Sequence, residues 1–480
     1  LLMSVAIQGF VALTSSVGDN QAVIETSGRL RAAKDRLQLD LKYVTARMTP
    51  PLDPLWEQGY LEVIEGPGPW STAFPFGAKP VDDLGAADSS VGDIDDVLMF
   101  TAKSTGEPFT GKHLINPGEI AYSRVAEIAW FMRGNKLYRR QLLVLPGAEI
   151  QNSSNHYFAS DISVRQRGGA DDPSMEFSGM MPHLVPNSLG DLTNRQNRFA
   201  HQPLLFPYDV RFWGQLGLPL MEETAHSNFP LPRYDTVPAS KLVVIAGWNG
   251  TPYDTQRDIW NAPNVDFPLT AVNNPGGNSP DVLTNFSSGN RVAEDVILDN
   301  VIGFDVKVWD ANAPIFSAGG QPVMPTDAAY KNMLVSGATV VGRGAYVDLF
   351  YARGTGASLN SNNVPTDAVY NGSIFAGPGH PRSQLAVGTG ATALQQQAAI
   401  YDTWRIEYEL DGFDQDGNGT ADDARDGLDN NNSAGVDDPT EYETSPPYPA
   451  PLRGIQVKIR VFEPSSRQVR EVTITQDFIR

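Results

Sequence analysis

The chain has 480 residues, 41% of them apolar, with a formal net charge of −20 and no cysteine. That length allows about three average domains or one large core with insertions, and the apolar share marks a globular chain, not a disordered acidic one. The charge disfavours nucleic acid as a partner, because phosphates demand a basic surface; the missing thiols exclude disulfides, thiolate metal sites and cysteine nucleophiles.

The first fourteen residues, LLMSVAIQGFVALT, form a mostly apolar run, shorter than the roughly 20 residues a membrane-spanning helix needs. A helical rhythm continues after it: Val23, Leu30, Ala33, Leu37, Leu41, Val44 and Met48 recur at threes and fours, with Arg31, Lys34, Asp35, Arg36 and Asp40 between them. Pro50 and Pro51 stop the pattern. The expectation is one N-terminal helix through Met48, apolar at its start and amphipathic afterwards.

Beyond the helix the signals are those of strands. With 44 glycines and 36 prolines the composition favours many short strands and long loops. A hairpin is predicted from Ala126–Met132 with Leu137–Leu145, turning near Gly134-Asn135. Apolar and charged residues alternate in Phe304-Asp305-Val306-Lys307-Val308, as a half-buried strand requires. Ile455, Val457, Ile459 and Val461 alternate with Gln456, Lys458 and Arg460; after a turn at Glu463–Ser466, Val472 and Ile474 resume on a return strand. Residues 77–92, 273–290 and 354–363, rich in Gly, Asn, Pro and Ser, read as exposed loops or insertion boundaries.

Residues 411–438 read DGFDQDGNGTADDARDGLDNNNSAGVDD, with nine aspartates, no glutamate and one cation, Arg425. The stretch is a tandem repeat: Asp411, Asp414, Asp422 and Asp423 recur fifteen residues later as Asp426, Asp429, Asp437 and Asp438. Calcium takes 6–8 oxygen ligands, and alternate residues of a tightly turned loop can aim them at one centre. In the first copy Asp414, Asp416 and Asn418 take the first, third and fifth places, Gly419 allows the sharp turn, Thr420 offers its carbonyl, and Asp422 with Asp423 closes the loop. The second copy has Asp429, Asn431 and Ser433, then Asp437 and Asp438, so fewer charges and a weaker site. The twelfth place of an EF-hand would fall on Arg425 instead of a bidentate Glu, so a shorter calcium loop fits better, and magnesium's strict octahedral demand disfavours it. The alternative is a solvated acidic loop. A bound ion would brace the Tyr401–Leu410 segment against the Leu452–Phe462 strand.

Several phrases together resemble type IV pilins and, more narrowly, large J-type minor pseudopilins of type II secretion. They are LLMSVAI at the start, LRAAKDRLQLDLKYVTARM, GYLEVIEGPG, AEIAWFMRGNKLYRRQLLVLPG, VILDNVIGFDVKVWD, GAYVDLFY, YDTWRIEYELDGFDQDGNG and the closing LRGIQVKIRVFEPSSRQVREVTITQDF. In that family an aromatic-led stretch ending in glutamate precedes such an apolar run, so the resemblance implies a longer precursor with a short basic leader. It implies an α+β fold, mostly β, with a long N-terminal α-helix packed on antiparallel sheet. It also implies a structural, non-enzymatic subunit of an envelope-anchored filament or pseudopilus, held in the inner membrane before assembly and joined to other pilin or pseudopilin subunits through the helix. Typical J-type subunits are much shorter, so large insertions are expected. The layout expected is a helix at 1–48, the first part of a β head at 49–200, an insertion-rich region at 201–400 and C-terminal strands with the acidic repeat at 401–480.

No common catalytic motif appears. His113, His156, His183, His201, His226 and His380 stand far apart without metalloprotease spacing, and neither a G-x-S-x-G elbow nor a phosphate-binding P-loop occurs. The second functional reading is a carbohydrate-active or adhesive module in the insertion, where Trp213, Trp248, Trp260 and Trp309 would stack on sugars; ordinary packing of those rings competes with it.

Overall fold

The computed structural model describes residues 2–48, 54–65, 96–113, 120–133, 136–150, 156, 160–167, 183–193, 197–199, 295–325, 327, 329–330, 333, 338–349, 399–403, 427–428, 436 and 451–478, with helix side chains from Gln21 onward. One α-helix, α1, spans Leu2–Lys42. The strands in chain order are β1 Leu61–Glu65, β2 Val97–Lys103, β3 Phe109–Lys112, β4 Ile120–Ser123, β5 Val125–Arg133, β6 Lys136–Leu143, β7 Val164–Arg167 and β8 His183–Pro186. They continue with β9 Val296–Leu298, β10 Val301–Ala318, β11 Gln321–Val323, β12 Val340–Val347, β13 Ala399–Asp402, β14 Gly454–Glu463 and β15 Gln468–Asp477.

Two sheets dominate. The first has six strands in the order β13-β1-β2-β5-β6-β9; the second has β11-β10-β14-β15, with β12 also paired to β10. Every named strand pair among the described residues is antiparallel. Leu61, Val63, Leu98, Phe100, Ile128 and Trp130 on one face of the first sheet share a core with Phe304, Val306, Val308, Ile455, Val457 and Ile459 of the second. The opposite face of the first sheet, through Ile64, Val97, Met99, Ala129 and Phe131, packs on Ile162, Val164, Leu184, Leu192 and Phe199. Burial on both faces is why β2 is buried at six consecutive positions and reads as a continuous apolar run.

The predicted hairpins are present. Arg133 pairs with Lys136 at the end of β5–β6, and β14 runs back into β15 with Glu463 opposite Gln468. The β10 strand is longer than its alternation suggested, and its register shifts between Asp310 and Pro314. Proline has no N–H to give a ladder, so a bulge is where an interior strand tolerates it.

The structure corrects the expected fold class. The chain is mostly β, with antiparallel sheets and a single helix among the described residues, not α+β. A long helix packed along its length on a sheet is not confirmed: of the helix side chains described, only Leu30, Ala33, Leu37, Asp40 and Leu41 are buried, a stripe confined to the last three turns. Each of those leucines contributes about 2 kcal/mol of burial, and one such stripe is a minor share of a core built from strands. The helix also ends earlier than Met48. Past Lys42 the backbone turns to the sheet: Lys103 N–H donates to Tyr43 O at 2.9 Å and Thr45 N–H to Thr101 O at 2.8 Å. These sheet hydrogen bonds replace the helical ones before the prolines are reached.

Candidate functional site

The acidic repeat was the leading sequence candidate. Its proposed ligands Asp414, Asp416, Asn418, Thr420, Asp422, Asp423, Asp429, Asn431, Ser433, Asp437 and Asp438 lie outside the described residues. Among the described residues no group of three or more His, Asp or Glu is arranged to hold a metal ion. The two ends of the segment that carries the repeat are defined, however. It leaves from β13, the edge strand of the six-stranded sheet, and returns into β14, an inner strand of the other sheet. Of the Tyr401–Leu410 strand expected from sequence, Tyr401 and Asp402 belong to β13, and residues 404–410 lie outside the described part. The stems are therefore not neighbours in one sheet; each belongs to a different sheet.

Both stems are held firmly. Thr403 N–H donates to Leu61 O at 3.2 Å and accepts at Oγ1 from Leu61 N–H at 2.9 Å. On the return side, Leu452 N–H donates to Met48 O at 2.9 Å. Tyr401 is wholly buried between them, and burial pushes its phenol well above the ordinary range.

Antiparallel register places Glu62 of β1 directly opposite Asp402 of β13. Like charges facing each other across a ladder repel, and both residues are buried, so the pair needs a cation. Arg198 supplies it: Nη1 donates to Glu62 Oε2 at 2.9 Å and to Asp402 Oδ2 at 2.6 Å. Its Nε donates to Leu192 O at 2.9 Å and Nη2 to Thr193 O at 3.0 Å. The guanidinium also lies over the Tyr60 ring, 3.9 Å from its centroid. Burial works against the charge, yet Asp402 and Glu62 outweigh it and hold Arg198 protonated above its ordinary value.

A third buried carboxylate continues the constellation. Glu127 accepts from Tyr60 Oη at 2.7 Å and Phe199 N–H at 2.9 Å through Oε1, and from Ser163 Oγ at 2.6 Å through Oε2. Burial first, and Glu127 second, push the Tyr60 phenol well above its ordinary value. Tyr60 follows Gly59, which has φ of +66°, and a Cβ at that glycine would collide with Thr101 Oγ1. Glycine is thus required where the chain turns tightly against β2.

Two further ion clusters tie elements together. Asp40 of the helix accepts from Arg139 Nε at 2.6 Å, Arg139 Nη2 at 2.9 Å and Trp130 Nε1 at 3.1 Å. Arg140 meets Asp295 at 2.9 Å and Asp161 at 3.3 Å. Sequence reasoning missed every one of these. In LEVIE and in AEIAWF, Glu62 and Glu127 occupy the positions that alternation assigns to solvent, and Arg198 lies 136 residues from Glu62 and 204 from Asp402. No local signal reveals that a second layer covers that face.

The other sequence candidates scatter. His113 contacts Glu149 O through Nε2 at 2.9 Å, and His156 is buried with Nε2 donating to Ile162 O at 2.9 Å. His183 begins β8, and His201, His226 and His380 lie outside the described residues. Of the four tryptophans proposed for sugar stacking, Trp309 packs edge-on against Tyr346 at 5.1 Å; Trp213, Trp248 and Trp260 lie outside the described residues.

Burial is the main reason the His156 imidazole is lowered from 6.5 to about 4. The folded protein disfavours the imidazolium, so between those values the unfolded chain binds more protons and stability falls as pH drops from about 6.5 towards about 4. The full effect is about 3 kcal/mol below that window. His156→Gln is expected to remove this component. Urea midpoints at pH 7 and pH 4.5 should converge more closely in the variant than in the wild type, and an equal pH dependence would refute the assignment.

Comparison with known proteins finds no matching family model, no matching curated protein and no matching solved structure. The pilin resemblance therefore rests on the sequence phrases alone.

Proposed function

We propose that this chain is a structural subunit of an envelope-anchored filament of the type IV or pseudopilus kind, assembling with copies of itself or sister subunits through its N-terminal helix. One observation carries the reading: the apolar run Leu1–Thr14 is continuous with a 41-residue helix whose buried stripe, among the side chains described, begins only at Leu30. Thr14 and Leu30 are about 24 Å apart along a helix axis. Among the described residues no helix is long and apolar enough to cross a membrane. The hydrophobic driving force for bundling would come from that run, at about 25 cal/mol per Å² buried. The deep placement of Arg198, Glu62, Asp402 and Glu127, each nearly inaccessible, suits groups that hold elements together better than groups that meet a substrate.

The test compares the full chain with a variant lacking residues 1–14. Electron microscopy of the full chain should show filaments or bundles, and the truncated chain should sediment as a folded monomer. A truncated protein that still assembled would remove the helix from this role.

Calcium binding by the repeat is part of the same proposal, with Asp414, Asp416, Asn418, Thr420 and Asp422 as the main ligands and the ion linking the stems from the two sheets. An ion that binds only the folded loop stabilises by about 2.7 kcal/mol at a hundred times its dissociation constant. Calcium should raise the melting temperature and chelator should lower it. Replacing Asp414 and Asp416 by Asn keeps shape but removes two charges, so that response should vanish. Identical calcium titrations for wild type and variant would leave the repeat as a solvated loop.

A further inference from the structure

Beyond its filament role, the β10–β12 edge of the second sheet holds a group of side chains with its own chemistry. Val308 pairs with Val347 in antiparallel register, so the next step along both strands sets Lys307 across from Asp348. Lys307 Nζ is in direct contact with Asp348 Oδ1 and stands 2.9 Å from Asp305 Oδ1. Lys307 is 5% exposed and Asp348 8%. Asp305 and Lys307 are two residues apart on one strand and share a face, while Phe304, Val306 and Val308 point into the core. Lys458 of β14 lies across from Asp305 on the other side and faces the same group.

From this placement we propose that Lys307 and Asp348 condense into an intramolecular amide that staples β10 to the end of β12, with Asp305 relaying the proton. The starting ion pair, an ammonium and a carboxylate, has the same atoms as an amine and a carboxylic acid, so one proton transfer within the contact gives the reactive pair. The Nζ lone pair attacks Cγ of Asp348 and a C–N bond forms. Asp305 takes a proton from nitrogen and delivers it to the departing oxygen, the C–O bond breaks, and one water leaves. Ammonium plus carboxylate thus gives amide plus water, with no oxidant or further reactant. Burial raises the Asp305 carboxyl above its ordinary range against the pull of Lys307, and Asp348 raises it further, which suits a group that must hold and release a proton. Fixed cross-strand neighbours also supply the proximity that a free amine and acid lack in solution.

Intact-mass measurement of the full chain decides the matter. The wild type is expected one water lighter than its sequence mass, and Lys307→Arg to weigh its full sequence mass. Asp348→Asn is expected to be one ammonia lighter, because the amide side chain loses nitrogen instead of oxygen. In a tryptic digest of the wild type, cleavage after Lys307 should fail, and the 344–353 peptide should travel with the lysine peptide. Asp305→Asn, shown to be folded by circular dichroism, should leave the two residues unlinked. A wild type at full sequence mass, cut cleanly after Lys307, would overturn the proposal and leave an ion pair only. An Asp305→Asn protein linked as fast as wild type would overturn the role given to Asp305. Neither result bears on filament assembly, so failure here is separable from failure of the proposed function.

Discussion

Replacing Arg198 by methionine is expected to lower stability by about 3–5 kcal/mol, because it strands two buried carboxylates without a counter-charge. Glu62 and Asp402 face each other across the β1–β13 ladder, and both accept hydrogen bonds from the one guanidinium. The substitution also leaves Leu192 O and Thr193 O without the donors they now receive. The urea midpoint should fall steeply at pH 7. A variant that adds Glu62→Gln and Asp402→Asn should recover much of the loss, since no unpaired charge then remains buried. An unchanged midpoint in the single variant would mean that water reaches the carboxylates and that the site is not sealed. Because Asp402 lies in β13, the single variant should also become open to cleavage within Ala399–Thr403 before the β14–β15 hairpin is cut.

The second large effect is expected at Asp40. Its carboxylate receives two hydrogen bonds from Arg139 and one from Trp130 at the point where the helix meets the six-stranded sheet. Arg36, one turn earlier, lies 3.5 Å away, and its guanidinium is lowered mainly by burial and by repulsion from Arg139. Asp40→Ala leaves two guanidinium groups beside each other with no anion, a change that should cost about 3–5 kcal/mol. Hydrogen exchange should report it locally: amides from Leu30 to Lys42 should lose protection while those of β2 and β5 keep theirs. Asp40→Leu combined with Arg139→Met should restore most of that protection, because packed apolar groups can replace a buried ion pair. Equal protection in wild type and Asp40→Ala would show that the apolar stripe alone holds the helix.

The residues themselves determined the elements with a strong period. The threes and fours of Leu30, Ala33, Leu37 and Leu41 specify a helix and pick out the stripe that is buried. The alternation of Ile455, Val457, Ile459 and Val461 specifies a strand and its core face, and the turn at Pro464 fits the observed β14–β15 hairpin. The acidic repeat was equally legible as a pattern, because its aspartate spacing is local. Local spacing could not decide the class, which came out mostly β and not α+β, nor the end of the helix, where the bonds Tyr43 O accepts from β2 and Thr45 N–H gives to it prevailed over helical ones. It also could not reveal that the face bearing Glu62 and Glu127 is covered by Ile162, Val164, Leu184, Leu192 and Phe199, or that Arg198 would meet Glu62 and Asp402. Those pairings join positions more than a hundred residues apart, and their energy exists only after the sheets close and water is expelled. Pattern records what each segment can bury; tertiary structure alone decides which polar groups are buried together.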